Sequence, residues 1–251
     1  MAKTIAIANQ KGGSGKTTTT RSLGSALAER GRSVLMVDMD PQGSLSEGCG
    51  VQLYALERTI YHVLLGSARM ADIILRIEPK LDLAPANIHL SAAEVQLVNS
   101  TRREDKLRNA LKPVQGWYDY VLLDCPPSFG LLTVNSLSAA NSVLIPMTCD
   151  YYTMLGVRLF LQTVKEIQQE VNPQLSIEGI LPTRYDGRTL HAKEILAQVC
   201  SASQVKVFQT IIKESVRFKE TPIRGESILK YAGSSEGARA FRELAKEIDG
   251  G

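Results

Sequence analysis

The loop that decides the fold reads Asn9-Gln10-Lys11-Gly12-Gly13-Ser14-Gly15-Lys16-Thr17-Thr18. It follows a short apolar run, Thr4–Ala8, and precedes a helical pattern, Thr17–Arg30. Glycines let successive backbone N–H groups turn inward and surround phosphate oxygens at the N-terminus of a helix. A strand, a glycine-rich loop and a helix in this order therefore predict a phosphate-binding loop over residues 10–18.

The side chains of this loop indicate which ligand it holds. Lys16 is placed to pair with β- and γ-phosphates, and the Thr17 hydroxyl can bind Mg²⁺. We therefore expect ATP and Mg²⁺ as cofactors. The residues expected to contact the nucleotide are Lys11, Gly12, Gly13, Ser14, Gly15, Lys16, Thr17 and Thr18.

Short β-rich apolar runs alternate with helical patterns along the chain. The runs are Thr4–Ala8, Ser33–Asp38, Leu81–Ala84, Tyr120–Asp124, Ser142–Met147 and Ile177–Pro182. The clearest helical patterns are Thr17–Arg30, Tyr152–Val171 and Ser235–Ile248. This alternation is typical of a doubly wound α/β fold, with a mostly parallel sheet and helices on both faces, as in P-loop NTPases. Because no linker or repeat interrupts the chain, we expect one domain over residues 1–251.

Two of the runs lack alternation and end in aspartate, at Asp38 and Asp124. Unbroken apolar runs are typical of central parallel strands that are covered on both faces. Ligands of such sheets bind at the carboxyl ends of the strands. The run Tyr120–Asp124 also has the form of a Walker B strand, which delivers a carboxylate to the outer shell of the metal. We therefore assign Asp124 to the Mg²⁺ site.

The phosphate loop departs from the strict pattern G-x-x-x-x-G-K-[ST]. Gln10 stands where the first glycine would be, and Lys11 adds a second lysine. The form K-G-G-x-G-K-T resembles the ParA/Soj and MinD family of Walker ATPases. In that family the extra lysine reaches across a dimer interface to the nucleotide of the partner. The resemblance implies an ATP-bound homodimer in which Lys11 and Lys16 both serve ATP hydrolysis.

A second stretch, Val37-Asp38-Met39-Asp40-Pro41-Gln42, is similar to the second acidic motif of this family. Carboxylates of that motif lie near Mg²⁺ and the attacking water. The resemblance implies that Asp40 orients the water and contacts the metal, with Asp38 in a supporting catalytic role. The sequence does not separate these two roles. The similarity continues through Leu131–Val134, Cys149–Gly156 and Thr183–Leu190.

The resemblance is strongest to the chromosomal Soj and plasmid ParA partition ATPases. Such proteins bind DNA non-specifically as ATP-bound dimers and release it when a ParB-type partner stimulates hydrolysis. It implies a cytoplasmic, nucleoid-associated ATPase that is weak alone, with Arg188 and Arg217 contacting DNA. The stretch 184–230 carries nine Lys and Arg against five Asp and Glu, as phosphate-backbone binding requires. Weaker candidates for DNA contact are Arg184, Lys193, Lys213, Lys219, Arg224 and Lys230.

Ile212–Glu214 replaces the Pro-Arg-Asn stretch that many members carry near the adenine, so no adenine-binding residue is assigned.

Three other functions remain open. A cargo-positioning ParA uses the same cycle with a different adaptor protein. A MinD-like ATPase shares the loop, but the apolar stripe of the last helix is typical of core packing, so we expect no stable membrane anchor. A nitrogenase-iron-protein relative would need cluster-binding cysteines, whereas this chain has scattered cysteines that we interpret as buried hydrophobes, namely Cys49, Cys125, Cys149 and Cys200.

Overall fold

The structure is a computed structural model that describes residues 2–150, 153–202 and 205–250. Its sheet has seven strands in the order β3-β4-β2-β5-β1-β6-β7. Every neighbouring pair is parallel except β3 and β4. The strands are β1 (Lys3–Ile7), β2 (Val34–Asp38), β3 (Leu75–Glu78), β4 (Leu81–Ala84), β5 (Tyr120–Asp124), β6 (Ser142–Thr148) and β7 (Ser176–Thr183).

Helices connect the parallel strands and cover both faces of the sheet. In chain order they are α1 (Lys16–Glu29), α2 (Ser44–Glu47), α3 (Ile60–Leu64), α4 (Leu90–Leu97), α5 (Lys106–Leu111), α6 (Leu131–Ala139), α7 (Thr153–Glu170), α8 (Leu190–Ala202), α9 (Arg217–Arg224), α10 (Ile228–Tyr231) and α11 (Glu236–Asp249). Among the described residues, no helix is long and apolar enough to cross a membrane.

The central strands β1, β5 and β2 have their carboxyl ends side by side. Ile7 of β1 is in register with Asp124 of β5, and Asp124 is in register with Asp38 of β2. All three strands are parallel, so their carboxyl ends meet at one edge of the sheet. The phosphate loop therefore starts next to both aspartates.

A separate hydrophobic layer lies on each face of the sheet. One layer includes Leu123 and Phe160 and is covered by α3 to α8. The other includes Leu122, Leu23 of α1 and Leu244 of α11. The strand β5 contributes to both layers, since its neighbouring residues Leu122 and Leu123 are fully buried on opposite faces of the sheet. This two-sided burial explains why the central strands are apolar at every position.

The predicted doubly wound, mostly parallel fold is confirmed, and each of the six predicted strands is present to within one residue at either end. The prediction omitted β3, which is a half-exposed, antiparallel edge strand. The helix predicted from Tyr152 is described from Thr153, because Tyr152 lies outside the described residues. Cys49 and Cys125 are buried as expected, but Cys200 is exposed, so that interpretation was wrong for Cys200.

Candidate nucleotide site

The loop between β1 and α1 turns through two glycines in the left-handed conformation. The φ angles of Gly13 and Gly15 are 70° and 88°, in a region that a Cβ atom disfavours. Gly15 is the N-cap of α1, and no side chain accepts a hydrogen bond there. The first N–H groups of α1, at the positive end of the helix dipole, are therefore left to an anion such as a phosphate.

A cavity of about 400 Å³ opens beside this loop. Most of the residues predicted for phosphate and metal binding line it, namely Gly12, Gly13, Gly15, Lys16, Thr17, Thr18 and Asp40. Ser14, also predicted to contact nucleotide, is fully buried behind them. The structure thus gathers residues from the loop, from α1 and from the segment after β2 around one space.

Lys16 begins α1, and its side chain is largely buried. Its Nζ donates a hydrogen bond to the carbonyl oxygen of Lys11, at 3.1 Å. Burial lowers the pKa of Lys16, and the negative charges of Asp124 and Asp40 oppose that change. A buried ammonium group with N–H donors still unused is well placed to bind phosphate.

Asp124 ends β5 and is fully buried. Its Oδ1 accepts a hydrogen bond from the Thr20 hydroxyl at 3.2 Å, while its Oδ2 has no hydrogen-bond partner among the described residues. Burial first, and then the charge of Asp38, raise the pKa of Asp124 well above its usual range. A buried, orphaned carboxylate oxygen is costly. A hard cation satisfies such an oxygen, so Asp124 and the Thr17 hydroxyl fit Mg²⁺.

Asp38 and Asp40 lie in different surroundings. Asp38 is fully buried, and its Oδ2 accepts hydrogen bonds from both the backbone N–H and the hydroxyl of Ser46, at 2.9 and 2.7 Å. Its Oδ1 accepts from the backbone N–H of Asp40, at 3.1 Å. Burial raises the pKa of Asp38 to about 6, against these hydrogen bonds. Asp38 therefore fixes the segment that presents Asp40, which itself lines the cavity.

Lys11 has a partner within its own chain. Its ammonium group forms an ion pair with Asp150, which follows β6. The Thr148 hydroxyl donates to the same carboxylate at 2.8 Å. The backbone N–H of Lys11 is held by the Asn9 side chain at 3.0 Å. A contact of Lys11 with a second subunit would therefore require its ammonium group to leave Asp150.

The far wall of the cavity comes from the carboxyl end of β7, from the chain that leads into α9 and from one residue of α11. The parallel bridge between Tyr185 and Lys213 brings these two segments together. Residues of this wall are Thr183, Arg184, Ile212, Lys213, Glu214, Ser215, Phe218, Lys219 and Phe241. The sequence marked parts of this wall, through the family similarity over Thr183–Leu190 and the departure at Ile212–Glu214. No motif placed these segments at the nucleotide, because they meet it only through the topology of the sheet.

Comparison with known proteins identifies the family. The AAA domain family matches residues 2–177. The sporulation initiation inhibitor protein Soj of Bacillus subtilis is 44% identical over 249 residues, which cover 99% of this chain and 98% of that protein. The chromosome-partitioning ATPase Soj of Treponema pallidum is 46% identical over 250 residues, which cover 99% and 97%. This chain belongs to the ParA/Soj family of ATPases.

A solved structure agrees with this family assignment. The crystal structure of cobyrinic acid a,c-diamide synthase from Mycobacterium smegmatis, with a bound ATP analog and magnesium, has a TM-score of 0.88 and 39% sequence identity. The match covers 98% of this chain and 93% of that one. Membership of the ParA/Soj family confirms the expected P-loop fold and the expected ATPase activity, with ATP and Mg²⁺ as its cofactors.

The two arginines that ParA/Soj similarity assigns to DNA lie in different surroundings. Arg188 is highly exposed, and its guanidinium binds both carboxylate oxygens of Asp186, at 2.8 and 2.7 Å. Arg217 is exposed at the first position of α9. Within the described part of the chain, Arg217 forms no ion pair of its own. Its charge is therefore less compensated than that of Arg188.

The weaker DNA candidates divide in the same way. Arg184, Lys213 and Lys230 form ion pairs with Glu214, Glu236 and Glu226. In contrast, the described residues offer no ion-pair partner to Lys193, Lys219 or Arg224. Two of these three lie on α9 together with Arg217. Among the eight DNA candidates, three of the four that form no ion pair with described residues therefore lie on α9.

Proposed function

We propose that this chain is a partition ATPase of the ParA/Soj type, which dimerises with ATP and binds DNA without sequence preference. Hydrolysis, weak in the isolated protein, is stimulated by a ParB-type partner and releases the DNA. Repetition of this cycle segregates a chromosome or plasmid. The protein then acts as a single ATPase domain in the cytoplasm, associated with the nucleoid. The named activities of its Soj relatives support this proposal.

The observation that carries the proposal is that α9 lines the nucleotide cavity and also carries positive charge on the protein surface. Phe218 and Lys219 of this helix line the nucleotide cavity. Arg217, at the start of the same helix, is exposed and carries uncompensated charge. A short helix with one side on the nucleotide and positive charge on its surface is suited to couple the state of the nucleotide to the binding of phosphate backbones.

The proposed catalytic roles follow from the placement of the carboxylates and lysines. Lys16 binds the phosphates, Thr17 and Asp124 serve Mg²⁺, and Asp40 orients the attacking water. Asp38 supports Asp40 through the hydrogen bonds to its backbone and to Ser46. Lys11 leaves Asp150 and reaches the partner's nucleotide in the dimer. Metal supplied with the nucleotide neutralises charge that develops on the phosphates.

The test is DNA binding by an ATP-locked protein. Asp40→Ala, which removes the water-orienting carboxylate, should bind several unrelated duplexes with similar affinity when ATP and Mg²⁺ are present. Adding Arg217→Glu should weaken binding to all of them about equally, because no base edges are read. Lys112→Glu is the matched control, since Lys112 is exposed at the end of α5 on the opposite face of the sheet.

Two outcomes would redirect the assignment. Equal DNA binding by the Arg217→Glu and Lys112→Glu variants would remove α9 from the mechanism. Absence of DNA binding, together with ATP-dependent binding to anionic vesicles, would favour a MinD-like membrane function. A cargo-positioning function shares the DNA step, so the adaptor distinguishes it. Pull-down with the ATP-locked protein should recover a ParB-like DNA-binding protein if the function is partition.

A further inference from the structure

Two consecutive residues at the end of β7 hold two consecutive carbonyl groups of the phosphate loop. The first is Thr183, which is 2% exposed. Its hydroxyl donates a hydrogen bond to the carbonyl oxygen of Ser14 at 2.7 Å. The same side chain lies against Gly15, since a Cβ atom built on Gly15 would be 3.6 Å from the Cβ of Thr183.

The second residue is Arg184. Its Nη1 donates to the carbonyl oxygen of Gly13 at 3.2 Å, and its Nη2 donates to Glu214 at 3.1 Å. Arg184 adopts a φ of 49°, in the left-handed region that non-glycine residues rarely occupy. This backbone turn follows directly after the strand and accompanies the return of the Arg184 side chain to the loop. Glu214 thereby fixes the orientation of the guanidinium.

The two hydrogen bonds constrain the direction of the loop amides. A trans peptide is planar, so its N–H group points opposite to its C=O group. The carbonyl of Gly13 shares a peptide with the N–H of Ser14, and the carbonyl of Ser14 shares one with the N–H of Gly15. Because both carbonyls are bound to β7, both N–H groups are directed to the other side of the loop. Inward-facing N–H groups are what a phosphate-binding loop needs.

We propose that Thr183 and Arg184 are positioning residues that preorganise the phosphate loop, with Glu214 holding Arg184. The inference rests on the proposed phosphate site at residues 10–18. It differs from a role in recognising the base, although both residues also line the cavity. A positioning role acts on every ligand that carries a triphosphate. A role in base recognition acts only on ligands that carry a base.

The experiment compares two probes, ATP and inorganic tripolyphosphate, each with Mg²⁺, by calorimetry on the full chain. Thr183→Val removes the hydroxyl with little change in volume, and should weaken both probes about tenfold, the upper range for one hydrogen bond. Arg184→Met should weaken both about threefold, because Arg184 is half exposed and its bond is longer. Thr183→Ser retains the hydroxyl, and should bind both probes to within about twofold of the parent.

The matched control for the buried threonine is Thr4→Val. Thr4 is also a fully buried strand residue, but its hydroxyl has no hydrogen-bond partner among the described residues. This control should bind both probes as the parent does. Thermal unfolding of the unliganded variants shows whether each is folded. If Thr183→Val does not fold, the half-exposed Arg184→Met variant carries the comparison.

Loss confined to ATP, with tripolyphosphate unaffected, would overturn the positioning role and assign these residues to the base. Unchanged binding of both probes in Thr183→Val and Arg184→Met would also overturn it. Lys16→Ala separates this result from a failure of the proposed site. If Lys16→Ala binds neither probe while Thr183→Val and Arg184→Met bind both normally, the phosphate site stands but Thr183 and Arg184 do not position it. If Lys16→Ala still binds tripolyphosphate normally, the phosphate site itself is misassigned.

Discussion

Lys16 is the residue on which we expect nucleotide binding to depend most directly. It is largely buried, and burial lowers its pKa, so its charge is held at a desolvation cost that a bound phosphate offsets. We expect Lys16→Ala to abolish ATP binding measured by calorimetry. The Thr4→Val variant changes a buried side chain that does not line the nucleotide cavity, and should bind ATP normally. Near-parental affinity of Lys16→Ala would contradict the assignment of the loop.

Lys11 has a different role, which its contact with Asp150 makes testable. In the proposed dimer its ammonium group exchanges Asp150 for the partner's nucleotide. We expect Lys11→Ala to bind ATP but to remain a monomer in light scattering, in the Asp40→Ala background that blocks hydrolysis. The Asp40→Ala protein itself should be a dimer with ATP and a monomer with ADP. Normal dimerisation of the Lys11 variant would exclude the contact across the interface.

Sequence patterns predicted the candidate residues of this site that belong to motifs. Gly12 to Thr18, Asp40 and Asp124 each lie in a short pattern with a known chemical requirement, and their roles stay predictions. Ser46 was missed, since nothing local marks a serine that binds Asp38 from eight positions away. Likewise, the pairing of Lys11 with Asp150 spans 139 positions and depends on the order of β1 and β6 in the sheet.

At the scale of elements, α11 is held to the sheet by its apolar stripe. Leu244 is fully buried against the layer that also contains Leu23 of α1. We expect Leu244→Ala to lower the free energy of unfolding by about 2–5 kcal/mol, the range for deleting a buried leucine side chain. Urea unfolding measures this change. A loss below about 1 kcal/mol, as for surface substitutions, would mean that α11 is not part of the core.

The end of α11 is fixed by Asp249, whose buried carboxylate accepts hydrogen bonds from Arg32, Tyr120 and Arg30. Burial alone would raise the pKa of Asp249, but these hydrogen bonds outweigh it and lower the pKa from the usual value of an aspartate. A lowered pKa in the folded state stabilises the fold above the unfolded pKa, and that stability is lost as the pH falls through the folded pKa.

We therefore expect Asp249→Asn to be less stable than the parent at pH 7, with the difference shrinking as the pH falls below 3.8. Urea unfolding at several pH values measures it. Glu243→Gln on the same helix is the matched control, because its pair with Lys246 is exposed and contributes little. A difference between Asp249→Asn and the parent that stays constant with pH would contradict the assigned ionisation.

The elements also show where sequence patterns lose information. The six strands that pair in parallel were predictable from short apolar runs, two of which are unbroken because the strand is buried on both faces. The strand β3 was not, since Leu75–Glu78 is half-exposed and includes Arg76 and Glu78. Arg76 forms an ion pair with Asp82, and Glu78 forms one with Arg21. Such pairs form only once β3, β4 and α1 are assembled.

In the whole molecule, the proposed cycle joins ATP, the dimer and DNA. In the proposed dimer each subunit would contribute the positive charge of α9, whereas Arg188 is partly compensated by Asp186. Dimerisation with ATP would place two such surfaces on one particle. The number of DNA phosphates neutralised should therefore increase when ATP is bound, while ADP should leave a single surface per particle.

The most direct measurement is a salt series of DNA binding by the Asp40→Ala protein with ATP and with ADP. The logarithm of affinity falls with the logarithm of salt concentration by about 0.9 for each phosphate contacted. We expect tighter binding with ATP and a slope about twice that with ADP. Arg217→Glu should reduce this slope while dimerisation persists. Equal affinities and equal slopes in the two nucleotide states would contradict ATP-controlled DNA binding.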